Sequence, residues 1–144
     1  MLKGISPLIP PEMLKILDEM GHGDELVLGD GNFPGASVGK RVIRCDGQAI
    51  PPLLDAVLSL FPLDTYVDAP VALMRVVPGD PVGDSPAIWT EYRALIEKHA
   101  PGARIETVER FAFYERAKLA YAVAQTGESA LYANVIIKKG VVKT

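Results

Sequence analysis

At 144 residues the chain is most simply one domain, long enough to bury a real hydrophobic core. Its hydrophobic content of 49% calls for a well-packed interior or for further burial in an oligomer. The net charge of −3 supplies no basic surface for nucleic acid or for an anionic membrane.

Pro10 and Pro11 open a first helix, where a missing N–H costs little. Met13, Leu14, Leu17 and Met20 recur along one apolar face of it. No Ser, Thr, Asp or Asn caps its start, so its first turn is expected to be weak. Gly21 is expected to end it as a C′ glycine. Leu26-Val27-Leu28 reads as a buried strand over 25–29. Gly31, Asn32, Pro34, Gly35 and Gly39 make residues 31–40 a loop. Val42 to Cys45 is a short strand, closed by the Asp46-Gly47 turn signal.

Pro51-Pro52 starts a second helix with Leu53, Leu54, Val57, Leu58 and Phe61 on one side, and Pro62 stops it. Leu63 to Val67 is a linker before a strand at Val71–Val77. The prolines and glycines of 78–86 mark a surface loop. Pro86 begins a third helix with Ile88, Tyr92, Leu95 and Ile96 on its apolar face, and Pro101-Gly102 terminates it. Arg104 to Val108 is a strand. A fourth helix is expected from Arg110 to about Gln125, with Phe113, Ala117, Ala120, Tyr121 and Ala124 as its core stripe. Tyr132 to Lys138 closes the chain as an apolar strand, on which Tyr132 and Asn134 alternate toward one side. Strand and helix alternate throughout. The expected fold class is therefore α/β, a single compact domain over 1–144 with a largely parallel sheet flanked by helices.

No apolar run approaches the roughly 18 residues of a membrane span. Met1-Leu2-Lys3-Gly4 does not begin a signal peptide. The lone Cys45 cannot form an internal disulfide, which fits a reducing cytoplasm, and one Cys with two distant His argues against a structural metal. Gly29-x-Gly31 lacks the third glycine of a dinucleotide fingerprint, and no Gly-Lys-Ser/Thr stands in the chain. No catalytic Ser-His-Asp order or nucleophile elbow is present either.

What remains is a small polar inventory. His22 stands between Gly21 and Gly23, directly before the first strand. It is either a proton donor and acceptor near neutral pH or an imidazole that bonds a backbone carbonyl after a helix. Asp30 enters a glycine-rich loop from the other end of that strand, suited either to vicinal hydroxyls or to an Asx-turn. Arg110 and Tyr114 lie one helical turn apart and can address one site. His99 falls in the last turn of a helix, where a cation is favoured, and reads as structural. Asp24 and Glu25 read as turn acids. Such a set suits a small polyhydroxylated ligand and proton transfer without a cofactor.

Met20-Gly-His-Gly-Asp-Glu25, Asp30 with Asn32-Phe33-Pro34, Ile43-Arg44-x-Asp46-Gly47, Pro62-Leu-Asp-Thr-Tyr66, Arg110-Phe-x-Phe-Tyr-Glu-Arg-Ala117 and Tyr132-x-Asn134 follow one another along nearly the whole chain. Together they resemble the L-fucose mutarotase family, itself related to D-ribose pyranase. The resemblance implies an α/β fold and a ring-shaped homo-oligomer, commonly a decamer of two pentamers, with sites between neighbouring subunits. It implies cofactor-free interconversion of sugar anomers. His22 matches the family's proton donor. Asp30, Arg110, Tyr132 and Asn134 match sugar-binding positions, and Asp64 and Tyr114 match further site positions. Tyr132, Tyr114 or a water would then serve the anomeric hydroxyl. Ala133 stands where fucose-type members carry glycine and ribose-type members alanine, whereas Arg110 and the Phe-x-Phe-Tyr-Glu-Arg run belong to the fucose branch. The expected partner is thus L-fucose, with D-ribose and a pyranase reaction as the alternative. A sugar-binding protein without turnover is the rival from another class.

Overall fold

The computed structural model describes residues 1–144. Helix α1 (Pro11–Glu19) leads to strand β1 (Glu25–Gly29), the helical turn α2 (Gly35–Val38) and β2 (Val42–Cys45). Then follow α3 (Ile50–Leu58), β3 (Val71–Met74), α4 (Ile88–His99), β4 (Ile105–Val108), α5 (Arg110–Leu119), β5 (Ala122–Thr126) and β6 (Val135–Lys138). The strands make one sheet in the order β2-β5-β1-β6-β3-β4. β5 lies parallel to both β1 and β2, and β3 lies parallel to β4. β6 is antiparallel to both of its neighbours, β1 and β3.

The period-two alternation of the strands divides the interior into two cores. Leu26 and Leu28 of β1, Ala122 and Ala124 of β5 and Val135 and Ile137 of β6 face a large cluster with Met13, Ile16, Leu53, Leu54, Tyr92 and Ile96 from α1, α3 and α4. Val27, Val123 and Ile136 face the other way, onto Phe33, Phe113 and Ala117. Helices thus cover both faces of the sheet. No helix is long and apolar enough to cross a membrane.

Several sequence expectations need correction. The fourth helix stops at Leu119, and Ala122–Thr126 is a central strand rather than its continuation. Every residue of that strand is buried, so it carries no alternation to betray it, and its alanines mimic a helix. The sheet is mixed, because β6 runs against the rest. Its first strand residue is Val135, and Tyr132 precedes it as the one non-glycine residue with positive φ, +56°. Tyr132 and Asn134 therefore do not alternate along a strand. β3 ends at Met74, short of Val77. A helical turn, Gly35–Val38, interrupts the loop expected over 31–40.

Gly21 stands at the C′ position of α1, as expected, but without the left-handed φ that often goes with it. The helix ends at Met20 in an extended conformation, and Gly23 has the left-handed φ, +89°. Lys139 Nζ closes the helix end instead, donating to Leu17 O at 2.7 Å and Met20 O at 2.5 Å. The start of α1 has no side-chain cap, as its sequence leads one to expect.

Candidate functional site

The C-terminal ends of β1 and β3, the N-terminal end of the reversed β6 and the N-terminus of α5 converge on one cavity of about 220 Å³. Open α/β sheets place ligands at such strand ends. Asp30, Arg110, Tyr114, Tyr132 and Asn134 all line it. Phe33, Met74, Val77 and Leu131 supply an apolar wall, and Asn32 and Asp80 complete the lining.

Asp30 is almost fully buried, yet faces this cavity. Its backbone is clamped. The Asp30 N–H donates to Asn134 Oδ1 at 2.8 Å, and Asp30 O accepts from Gln125 Nε2 at 2.7 Å. Asp30 Oδ1 accepts the Asn32 N–H at 3.0 Å, so the residue makes an Asx-turn and lines the cavity at once. Burial pushes its carboxyl above the ordinary range, with a smaller push from the Glu128 charge, against the Asn32, Ala133 and Phe33 N–H groups that favour the anion. Asn134 spends its carbonyl on Asp30 and keeps both amide hydrogens for a ligand.

Arg110 occupies the first position of α5, where the helix dipole disfavours a cation. Nothing in the chain pairs with its guanidinium by hydrogen bond or ion pair; it lies 5.8 Å from the centre of the Tyr114 ring. Glu109 caps the helix beneath it, its Oε2 accepting the Phe111 and Ala112 N–H groups at 3.0 Å each. Tyr114 packs against Phe33, ring centres 5.8 Å apart.

Tyr132 is held from three sides. Trp89 Nε1 donates to its carbonyl at 2.8 Å, and Tyr92 holds the next carbonyl, that of Ala133, at 2.7 Å. Its phenol donates to Asp80 Oδ2 at 2.9 Å. Ala133 itself is fully buried in the large core and does not line the cavity.

His22 and Asp64 are not part of this cavity. They meet each other at the opposite end of β1, with His22 Nε2 3.0 Å from Asp64 Oδ1. The strand between His22 and Asp30 spans four residue steps, roughly 13 Å. Asp64 is buried, while the His22 side chain is 46% exposed. Burial raises the Asp64 carboxyl, but the Tyr66 N–H, His22 and Lys138 outweigh it and hold it below the usual carboxylate range. Tyr66 packs on the imidazole, ring centres 5.2 Å apart. With Nε2 committed to Asp64, Nδ1 is the nitrogen left to address a ligand. One chain therefore carries two separate polar centres. His99 bonds Asp55 at 2.6 Å between α4 and α3, away from both.

Asp80 is the charged lining residue that sequence reasoning missed. It sits in the Pro/Gly-rich loop read only as surface. Val77-Pro78-Gly79-Asp80 is a turn signal with Pro and Gly in the order of a type II turn, and that signal was available in the sequence.

Comparison with known proteins places these features in a family. Residues 3–142 match the RbsD / FucU transport protein family model. The chain is 55% identical over 142 residues to the L-fucose mutarotase of Actinobacillus pleuropneumoniae serotype 5b (strain L20), covering 98% of this chain and 97% of that one. It is 51% identical over 144 residues to the fucose mutarotase of Homo sapiens, covering 97% and 94% of the two chains. The crystal structure of the Streptococcus pneumoniae fucose mutarotase in complex with L-fucose superposes with a TM-score of 0.92 at 54% identity, over 99% of this chain and all (100%) of that one. Bacillus subtilis RbsD complexed with D-ribose shares the fold alone, at a TM-score of 0.71 and 23% identity.

Proposed function

Because the chain belongs to the RbsD / FucU family, we propose that it interconverts the α and β anomers of L-fucopyranose by acid/base-assisted opening and closing of the hemiacetal ring, in the cytoplasm and without a cofactor. The observation that carries this reading is the composition of the cavity. Two carboxylates, one unpaired guanidinium, two amides and two phenols face an apolar wall. Hydroxyls on one side of a sugar and the methyl group of a 6-deoxy sugar on the other match that division.

Ring opening needs a proton delivered to the ring oxygen and one withdrawn from the anomeric hydroxyl. His22 is the proposed donor, oriented by Asp64. Asp30, Arg110 and Asn134 hold the remaining hydroxyls, and a tyrosine serves the anomeric hydroxyl. Each well-placed proton donor or acceptor contributes roughly 10²–10⁴-fold. A single sugar ring does not bridge the gap between His22 and the cavity of its own chain. The proposed working unit is therefore a homo-oligomer in which His22 of one subunit faces the cavity of the next, and the family resemblance implies that it is a ring, a decamer of two pentamers.

The fucose reading is favoured over the ribose pyranase one. Ala133, the residue shared with the ribose branch, is buried behind the cavity and touches no ligand space. Magnetisation transfer between anomeric protons at equilibrium tests the assignment with L-fucose and D-ribose in parallel. Faster α/β exchange of fucose is the expected result. Acceleration confined to ribose pyranose–furanose exchange would replace the assignment with the pyranase, and fucose binding without exchange would leave only a sugar-binding protein.

A further inference from the structure

The tyrosine that serves the anomeric hydroxyl must itself pass a proton on, and the loop after β3 supplies the acceptor. Val77-Pro78-Gly79-Asp80 closes as a turn, the Asp80 N–H donating to Val77 O at 3.1 Å and Gly79 taking φ +88°. These are the geometry and residues of a type II turn. The turn brings two groups of opposite character to one phenol. The Val77 N–H donates to Tyr132 Oη at 3.3 Å, and Tyr132 Oη donates to Asp80 Oδ2 at 2.9 Å. Asp80 Oδ1 accepts the Val82 N–H at 3.2 Å, so its carboxylate is fixed at both oxygens.

This arrangement dictates what Tyr132 can do. A neutral phenol has one hydrogen to donate. Here it goes to Asp80, and one lone pair is occupied by the Val77 N–H. What Tyr132 presents to the cavity is an acceptor, suited to a sugar hydroxyl that donates. The left-handed backbone of Tyr132, unfavourable for a bulky residue, is maintained by the Trp89 bond to its carbonyl. The other charged groups lining the cavity are Asp30 and Arg110.

Building on the mutarotase reading, we infer that Asp80 is a positioning residue that acts through Tyr132, taking the phenolic proton as Tyr132 takes the proton of the anomeric hydroxyl. The step balances. The anomeric O–H bond breaks and its proton passes to Tyr132 Oη, while the Tyr132 proton passes to Asp80 Oδ2. The hydroxyl's electron pair forms the carbonyl, the bond from the anomeric carbon to the ring oxygen breaks, and that oxygen takes a proton from His22. Ring closure on either face returns every proton. Burial, together with the Asp80 hydrogen bond and charge, keeps the phenol's pKa above its ordinary value against the Val77 N–H and Arg110, so relay rather than standing ionisation suits it.

The test measures kcat and KM for fucose anomer exchange, and the sugar Kd, in the full-length wild type and in Asp80→Asn, Asp80→Glu, Tyr132→Phe and Asp80→Asn/Tyr132→Phe, with circular dichroism checking each fold. The inference expects Asp80→Asn to lose about 10²-fold in kcat, with KM and Kd within about threefold. Asp80→Glu should recover part of the rate, and the double variant should be no slower than Tyr132→Phe alone, since both act on one proton. Wild-type kcat in Asp80→Asn would overturn it. So would a loss confined to KM, or multiplicative losses in the double variant. A misfolded Asp80→Asn leaves the decision to Asp80→Glu, whose failure to exceed Tyr132→Phe in rate would overturn it as well. A wild type that accelerates no exchange would overturn the mutarotase reading itself and this inference with it, which is distinct from a fully active Asp80→Asn.

Discussion

Two impaired variants should rescue each other. His22→Ala removes the proposed proton donor and leaves the cavity intact; Asp30→Asn alters the cavity and leaves the His22–Asp64 pair intact. The two centres lie at opposite ends of β1, roughly 13 Å of strand apart. If each working site takes its histidine from one subunit and its cavity from the next, mixed oligomers contain repaired sites. In a random equimolar mixture the histidine comes from an Asp30→Asn subunit about half the time. The cavity comes from a His22→Ala subunit about half the time. About one quarter of the sites are then whole, as statistics at a repeated interface require. His22→Ala alone is expected to fall by roughly 10²–10⁴-fold and Asp30→Asn by about 10–10²-fold, the worth of a charged hydrogen bond to a hydroxyl, so a quarter of wild-type exchange stands above the sum of the parents.

The assay is fucose anomer exchange by magnetisation transfer, on variants co-refolded together and on the same variants refolded apart and then combined. Co-refolded protein that exchanges no faster than the sum of its parents would refute the reasoning, because groups confined to one chain can never be reunited by mixing. A monomeric wild type that is fully active would refute it equally.

Three further outcomes follow from local structure. Asp30→Asn should stabilise the free protein by about 1 kcal/mol at neutral pH, as relief of a strained functional site commonly does. The folded carboxyl titrates above its ordinary 3.8, so in the window between the two values the folded state holds the extra proton and stability falls as pH rises. The advantage of the variant should therefore vanish below about pH 3.8, the ordinary value; a neutral-pH melting temperature below wild type would contradict this. Phe113→Ala should cost about 3–5 kcal/mol in urea unfolding, since Phe113 is fully buried and meets Phe33 edge-on at 6.2 Å; a loss under about 1 kcal/mol would mean α5 is not anchored there. In Gly140→Ala the new Cβ would lie 2.6 Å from Leu63 O and 2.8 Å from Asp64 Cα, both backbone atoms. The displaced Asp64 should misdirect His22 and slow exchange by about 10²-fold, and an unchanged rate would show that the segment yields without moving the pair.

Where the sequence spoke plainly, it did so through side chains whose chemistry conflicts with their surroundings. A histidine between glycines, a carboxylate after an apolar strand and an arginine at a helix start all stand out along a single chain, and the structure sets each at one of the two polar centres. Helices α1, α3 and α4 were legible for the ordinary reason that one face is apolar. β5 was not. A strand buried on both faces has no period of two, and Ala-Val-Ala-Gln-Thr after a helix reads as more helix. Its polar residues are turned to internal use: Gln125 bonds Asp30 O and Thr126 bonds Gly29 O, each at 2.7 Å. Asp80 was missed because a Pro-Gly turn announces a bend and says nothing of which distant phenol the bend will meet.

The reversal of β6 explains why one chain holds two separate polar centres. Its N-terminal end delivers Tyr132 and Asn134 to the ends of β1 and β3 where Asp30 lies. Its C-terminal end carries Lys138, whose carbonyl accepts the Asp64 N–H at 3.0 Å, and Lys139, whose carbonyl accepts the Gly23 N–H at 2.8 Å beside His22. A parallel strand in that place would run the other way and exchange these ends. The surface carries the same division. Tyr66 and Val67 are exposed near His22, whereas Val77 and Leu131 of the cavity lining and Phe111 beside Arg110 are exposed at the other end. A two-fold dimer would join both pairs of ends only by aligning two subunits along the length of the sheet. Head-to-tail contact joins the end of one subunit to the end of the next, and where the rotation closes it makes a ring. In the proposed ring every apolar rim would be covered and every cavity would receive a histidine from its neighbour, which is the assembly that the mixing experiment tests.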